Sequence, residues 1–331
     1  MGNANKKKNP EAGASAREDL EDRVSSVKKE FKEKGLNEKQ EPGHDPEPKI
    51  AKTPWREMEE AFSWKLEYEQ KLINEVVDVY ETKDVDKNLL LIGPAAAGKS
   101  SFINSVATID KGRTAQVVWV GNDEKSVTTK LKKYKPQRKL RNFRILDTMG
   151  IEEEEGFNLD DTEDLMAGNL KSGYKFNTRS RGGETDRKKN VTQKDKVHCI
   201  VVVIDANPVG KQTVPKKTKE KIDLLRQKTK DHEIPLIILL TKIDILCKDV
   251  DCDITNVFKS DEVKMAVKKA HELFKVPEMN IHPVQNYSKE GRLEPNLNIL
   301  ILLALKQMME FATDYLSELN MVTSSGEEES N

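Results

Sequence analysis

The stretch that decides the fold is "LLLIGPAAAGKSSFINS", residues 89–105. Four apolar residues run into Gly93-Pro94, three alanines follow, and Gly98-Lys99-Ser100 opens an amphipathic run through Phe102, Ile103 and Val106. Glycine, four residues, then Gly-Lys-Ser is the spacing of a phosphate-binding loop between a strand and a helix. Small side chains let the backbone curl so that successive N–H groups face inward. The positive end of the helix dipole reinforces them, and together they hold a strongly anionic group. The contacts fall to Gly93, Ala96, Ala97, Gly98, Lys99, Ser100 and Ser101. Lys99 would neutralise the β- and γ-phosphates, and the Ser100 hydroxyl would ligate Mg2+.

The same strand-then-helix rhythm continues outward. Short apolar runs at 88–92, 115–120, 142–146, 197–205, 235–240 and 280–284 read as strands. Amphipathic stretches at 100–108, 161–171, 214–230, 260–275 and 296–318 read as helices. Uninterrupted apolar strands alternating with helices predict an α/β fold: a mostly parallel six-stranded sheet with helices on both faces. The domain built on this phosphate loop is expected over 86–318, with a charged, Gly-containing insertion at 151–195. Residues 54–82 read as an N-terminal docking helix within a 51–85 linker, 1–50 as a disordered polar tail and 319–331 as an acidic tail.

Two later motifs choose the base. "FRILDTMG" ends a strand at Asp147, placed to hold Mg2+ directly or through water, and Gly150 three residues on can bring its N–H against the γ-phosphate. "LIILLTKID" sets Thr241, Lys242 and Asp244 at the carboxyl end of a buried strand, where open α/β sheets bind ligands. A carboxylate at Asp244 accepts from the N1–H and exocyclic amine of guanine, a donor pair that adenine lacks. The Lys242 stem can lie along the base, and Thr241 replaces the commoner asparagine, whose tethering bonds it must partly supply. Thr128 or Thr129 is the candidate Mg2+-sensing threonine, and "VQNYS" offers Asn286 and Tyr287 to the base. Asp205 competes as a Walker-B-like aspartate, but Gly150 behind Asp147 favours the earlier site. The implied ligands are GTP or GDP with Mg2+.

Hydrolysis is expected to be slow. Ras-like enzymes orient the attacking water with a glutamine directly after the Asp-x-x-Gly motif, and here that residue is Ile151. The catalytic group is expected from a partner or from a residue within 110–140 or 151–195, and the motifs do not name it.

Composition sets further bounds. Lys and Arg total 56 against 57 Asp and Glu, so no global field argues for nucleic acid, and no nucleic-acid partner is expected. Three scattered cysteines form no disulfide framework and suit a cytoplasmic protein. No apolar run reaches membrane-spanning length. Gly2 invites N-myristoylation, but Lys6 stands where Ser or Thr is wanted, so membrane attachment depends on a modification that the pattern only half supports.

"TPWREM", "LDTMGIEEEEGFNLDDTEDLMAGNL", "GYKFN", "VHCIVVVIDA", "VQNYS" and "ILILLALKQMM", in order around the phosphate loop, resemble the interferon-induced protein 44 and 44-like family over residues 52–316. The resemblance implies an interferon-inducible, cytoplasmic GTP-binding protein of the immune or antiviral response. The family is loose at the guanine motif, whereas the Lys242–Asp244 spacing is intact here. The expected behaviour is a GTP-dependent switch, with an unknown protein partner or self-association through the nucleotide face or the N-terminal helix. The alternative is a non-enzymatic scaffold whose phosphate loop is constantly filled or empty.

Overall fold

The structure is a computed structural model that describes residues 50–78, 85–120, 128–151, 161–176 and 183–328, with side chains through 320. These residues all lie in one compact unit that begins at Pro48. The polar tail with Gly2, the acidic run at 152–160 and the stretch 177–182 lie outside them.

Six strands form one sheet: β1 (Lys87–Ile92), β2 (Lys132–Tyr134), β3 (Phe143–Asp147), β4 (Cys199–Asp205), β5 (Leu236–Thr241) and β6 (Ile281–Pro283). Their order is β2-β3-β1-β4-β5-β6, with β2 antiparallel to β3 and every other pairing parallel. The helices are α1 (Leu66–Asp78), α2 (Lys99–Lys111), α3 (Asp161–Met166), α4 (Ala206–Gly210), α5 (Lys216–Asp231), α6 (Ile243–Leu246), α7 (Lys248–Cys252), α8 (Asp261–Phe274) and α9 (Pro295–Glu328).

The strands alternate their side chains between two cores, which is why they read as continuous apolar runs. Leu90, Ile92, Ile200, Val202, Ile238 and Leu240 face α5 and α8. Leu89, Leu91, Val201, Val203, Ile237 and Leu239 face α1, α2 and α9. Helices α1 and α9 are joined across that second core by Asn298 Nδ2 donating to Glu69 Oε1 at 2.8 Å and by a Lys306–Glu75 ion pair at 2.8 Å.

Four expectations change. Residues 115–120 are not a strand; the edge strand is β2, a lysine-rich stretch with no apolar signal. The long N-terminal helix begins only at Leu66, because the segment before it folds back. Trp55 donates its backbone N–H to Phe258 O at 2.7 Å and its indole N–H to Val257 O at 3.0 Å, and Phe62 and Trp64 pack on the same phenylalanine. Helix α3 stops at Met166, well short of 171. Gly168 follows at φ 76°, with a Cβ there only 2.3 Å from Asp195 O, so the chain turns on a residue that must be glycine. The backbone of α9 stays helical through Glu328 rather than ending at 318. The described part of the insertion is also less polar in effect than its composition, since Leu165, Leu170, Tyr174 and Phe176 are buried in the first core.

Candidate functional site

Strand β1 delivers the chain to the carboxyl edge of the sheet between β3 and β4, and the loop Gly93–Gly98 forms there. Gly93 passes so close to β4 that a Cβ would lie 2.0 Å from Val203 O. Ala96 and Gly98 take left-handed backbone angles, φ 53° and 97°, which curl the loop onto the start of α2. No side chain caps that helix and its first turn carries no acid, so the amides of its first turn keep their positive field for a ligand. The Lys99 ammonium folds back, donating to Gly93 O and Pro94 O at 2.7 Å each.

Strand β3 ends at Asp147, which is fully buried. Its Oδ2 accepts from Ser100 Oγ at 3.1 Å and Thr128 Oγ1 at 3.4 Å. Its Oδ1 has no hydrogen-bond partner among the described residues. Burial pushes this carboxyl above the usual range, and the Lys99 charge and the Ser100 hydroxyl pull against that. Thr129, by contrast, is exposed, and its carbonyl accepts from Phe176 N–H. Gly150 is buried, and the next residue, Ile151, is buried too and donates its N–H to Gly93 O at 3.2 Å.

At the end of β5, Thr241 is fully buried, and its hydroxyl lies 2.6 Å from Ala97 O and 3.2 Å from Ile204 O. Its side chain therefore ties the phosphate loop to β5, and it does not line the cleft. Lys242 sits at φ 60° and pairs with Asp205 Oδ2 at 2.8 Å, so Asp205 serves this loop and the start of α4, accepting from Asn207 N–H at 2.9 Å. Burial raises the Asp244 carboxyl. Past β6, Asn286 Nδ2 donates to Gly98 O at 3.2 Å and Tyr287 N–H donates to Ser105 Oγ at 2.9 Å. The Tyr287 hydroxyl donates to Asn298 Oδ1 and accepts from Glu294 N–H, both at 2.8 Å, which holds its ring in place.

These parts meet in one cleft of about 970 Å³. Ala96, Gly98, Lys99, Ser100 and Ser101 line it at the phosphate loop, Thr128 beside them, and Lys242, Asp244, Asn286 and Tyr287 from the sheet's far strands. Gly93, Ala97, Asp147 and Gly150 do not line it: the first two shape the loop from behind, and Asp147 reaches it through Ser100. Two residues escaped the sequence reading. Ser105 anchors the loop after β6, and Asn104 holds the segment after α2; an asparagine and a serine inside a helix, where both are poor formers, were the available signal.

Comparison with known proteins agrees with this architecture. Residues 88–242 match the sequence family described as "50S ribosome-binding GTPase". The fold is that of a P-loop GTPase. Human interferon-induced protein 44-like is 30% identical over 264 residues, covering 76% of this chain and 58% of that protein. Mouse interferon-induced protein 44 is 32% identical over 242 residues, covering 70% of this chain and 56% of that one. The chain is a relative of the interferon-induced 44 and 44-like proteins. It spans little more than half the length of these two relatives. Among solved structures, Toc33 from Arabidopsis thaliana with GDP and Mg2+ aligns at 18% identity over 75% of this chain and 93% of that one, with a TM-score of 0.43. Among the described residues, no helix is long and apolar enough to cross a membrane.

Proposed function

We propose that the chain binds a guanine nucleotide in this cleft, phosphates on Gly93–Ser101 and base on Asp244, and acts as a GTP-dependent switch with slow intrinsic hydrolysis. The observation that carries the proposal is that the phosphate loop and Asp244 line the same cavity. Guanine offers two adjacent donors to that carboxylate, and adenine would leave the half-buried acid facing an unprotonated ring nitrogen. The names of the relatives support an interferon-induced protein, and a cytoplasmic role in the immune or antiviral response is part of the same proposal.

Ser100 and Asp147 suit Mg2+. Both offer hard oxygen donors, and a buried carboxylate oxygen without a partner is what a cation would satisfy. Thr128, already near Asp147, is a better candidate than the exposed Thr129 to respond to the metal. When bound, the cation would offset charge on the β- and γ-phosphates. Lys99 would exchange two carbonyl contacts for phosphate oxygens, and the loop's amides would hold the rest.

Slow turnover follows from Ile151, an apolar buried side chain where a water-orienting group would be needed. That residue also supports the scaffold reading, in which a partner responds to an occupied loop without cleavage. Calorimetric titration with GDP, GTP, ADP and ATP, on the chain and on Lys99→Ala, tests the proposal. Guanine nucleotides should bind the natural chain and fail on the variant. Equal affinity for both chains would overturn the assignment. Tightly retained GDP that GTP does not displace would favour the scaffold.

A further inference from the structure

One wall of the cleft is formed by Thr114, Ala115, Gln116, Trp119 and Val120, from the segment after α2 whose residues 115–120 read as a strand by composition. Its backbone bonds go to helix side chains instead. Ala115 N–H donates to Thr108 Oγ1 at 3.0 Å. The N–H groups of Val117 and Val118 both donate to Asn104 Oδ1, at 2.8 and 3.0 Å, and Asn104 Nδ2 donates to Val118 O at 2.9 Å. This three-bond fork holds Val118 in the core, where it is buried, and leaves the next residue, Trp119, beside the cleft.

Trp119 is 68% exposed while lining that cleft. The other two tryptophans, Trp55 and Trp64, are half-buried against Phe258. Of the large apolar residues left in solvent, Trp119, Val120 and Ile245 line this one cavity, together with the Tyr287 ring and the Asp244 carboxylate. Apolar, aromatic and acidic groups in one cleft suit a flat, donor-bearing heterocycle; Lys99 and Ser100 in the same cleft suit phosphate. An indole packs on any purine with either face, so it contributes affinity without choosing the base.

We infer that Trp119 is the aromatic wall of the nucleoside subsite, packing on the base-and-sugar end of the nucleotide, and that Asn104 is the residue that positions it. The inference rests on the nucleotide reading of the cleft and adds the group that grips the nucleoside.

The test uses the full chain, calorimetry with GDP, ADP and inorganic tripolyphosphate in Mg2+, and tryptophan emission. The natural chain should bind GDP with a change in emission, since only Trp119 among the three tryptophans lines the cleft. Trp119→Ala should weaken GDP and ADP by the same factor, about tenfold, and leave tripolyphosphate unchanged, while Trp119→Phe keeps most of the affinity. Asn104→Ala should reduce both GDP affinity and the emission change, again without touching tripolyphosphate. GDP binding with steady emission and an unaffected Trp119→Ala variant would overturn the inference and leave the nucleotide reading intact. So would equal losses for GDP and tripolyphosphate, which mark a disturbed fold. A natural chain that binds neither GDP nor GTP would remove both.

Discussion

Replacing Thr241 by valine isolates one hydrogen bond that joins two halves of the site. The Thr241 hydroxyl carries one proton, and the shorter of its two contacts, 2.6 Å to Ala97 O against 3.2 Å to Ile204 O, identifies Ala97 as the main acceptor. Both Thr241 and Ala97 are buried, so no water can replace the lost donor. Valine keeps the branched shape, fits the β-strand and leaves the Ala97 carbonyl without this partner. A buried acceptor stripped of its donor costs about 1–3 kcal/mol. For a domain of this size each kcal/mol shifts Tm by roughly 2–4 °C, so Thr241→Val should melt roughly 2–12 °C lower. The loss should also reach the ligand, because Ala97 belongs to the loop whose amides face the phosphates, and GDP affinity should fall about threefold to tenfold as part of that tether energy is drawn from binding. Thermal unfolding followed by circular dichroism and calorimetric titration of GDP read the two effects. An unchanged Tm together with unchanged GDP affinity would refute the tether and return Thr241 to a plain strand position.

Three other consequences are open to measurement. Asp110, buried near the C-terminus of α2, accepts from the N–H groups of Gln137, Arg138 and Leu140 and from the Tyr134 hydroxyl, at 2.8–3.4 Å; Asp110→Ala should cost about 3 kcal/mol or more in urea unfolding while leaving GDP affinity within a factor of about two, and a neutral effect on stability would contradict the bonding. Burial holds the His198 imidazole down to about 4, with Nδ1 accepting from Asn88 N–H and Nε2 donating to Gln193 O. The unfolded chain therefore takes up the proton first, near 6.5, and stability falls as pH drops from about 6.5 towards 4, at about 1.4 kcal/mol per unit for this group; the NMR titration should find His198 still neutral at pH 5.5, and a midpoint near 6.5 would contradict it. Asp147→Asn should abolish the Mg2+ dependence of GTP affinity, measured as the ratio with and without EDTA, and a ratio equal to that of the natural chain would remove Asp147 from the metal site.

What the sequence made legible follows from how each segment is stabilised. Strands β1, β4 and β5 are buried on both faces, so their apolar runs are visible without neighbours. The phosphate loop is legible because its glycines answer local demands: a backbone passing against β4 at Gly93 and a left-handed angle at Gly98. Strand β2 is illegible for the opposite reason. Lys132 and Lys133 are exposed, and only register with Leu146 and Asp147 makes the segment a strand; lysine on a short edge strand also discourages further pairing. Residues 115–120 have β-forming composition, yet their amides are taken by Asn104 and Thr108, partners that composition does not reveal. The N-terminal helix reads longer than it is because Trp55, Met58 and Phe62 keep an approximately helical spacing, yet Trp55 and Phe62 pack around Phe258, some two hundred positions away. Within the site, the residue types were readable and their roles less so. A tethering role for Thr241 is readable from its place in the motif, but its partner is not, since that depends on where Ala97 lies in the folded loop.

The most direct test of a guanine nucleotide spanning the phosphate loop and Asp244 is an exchange of base preference. Xanthine keeps the N1–H of guanine but carries a carbonyl in place of the exocyclic amine, so a carboxylate repels it and a carboxamide can both accept and donate. Competitive binding of GDP and xanthosine diphosphate should favour GDP by at least about a hundredfold on the natural chain. Asp244→Asn should reverse that preference, with Lys99-dependent binding retained. The same order of preference in both chains, or indifference to the base in either, would contradict the account.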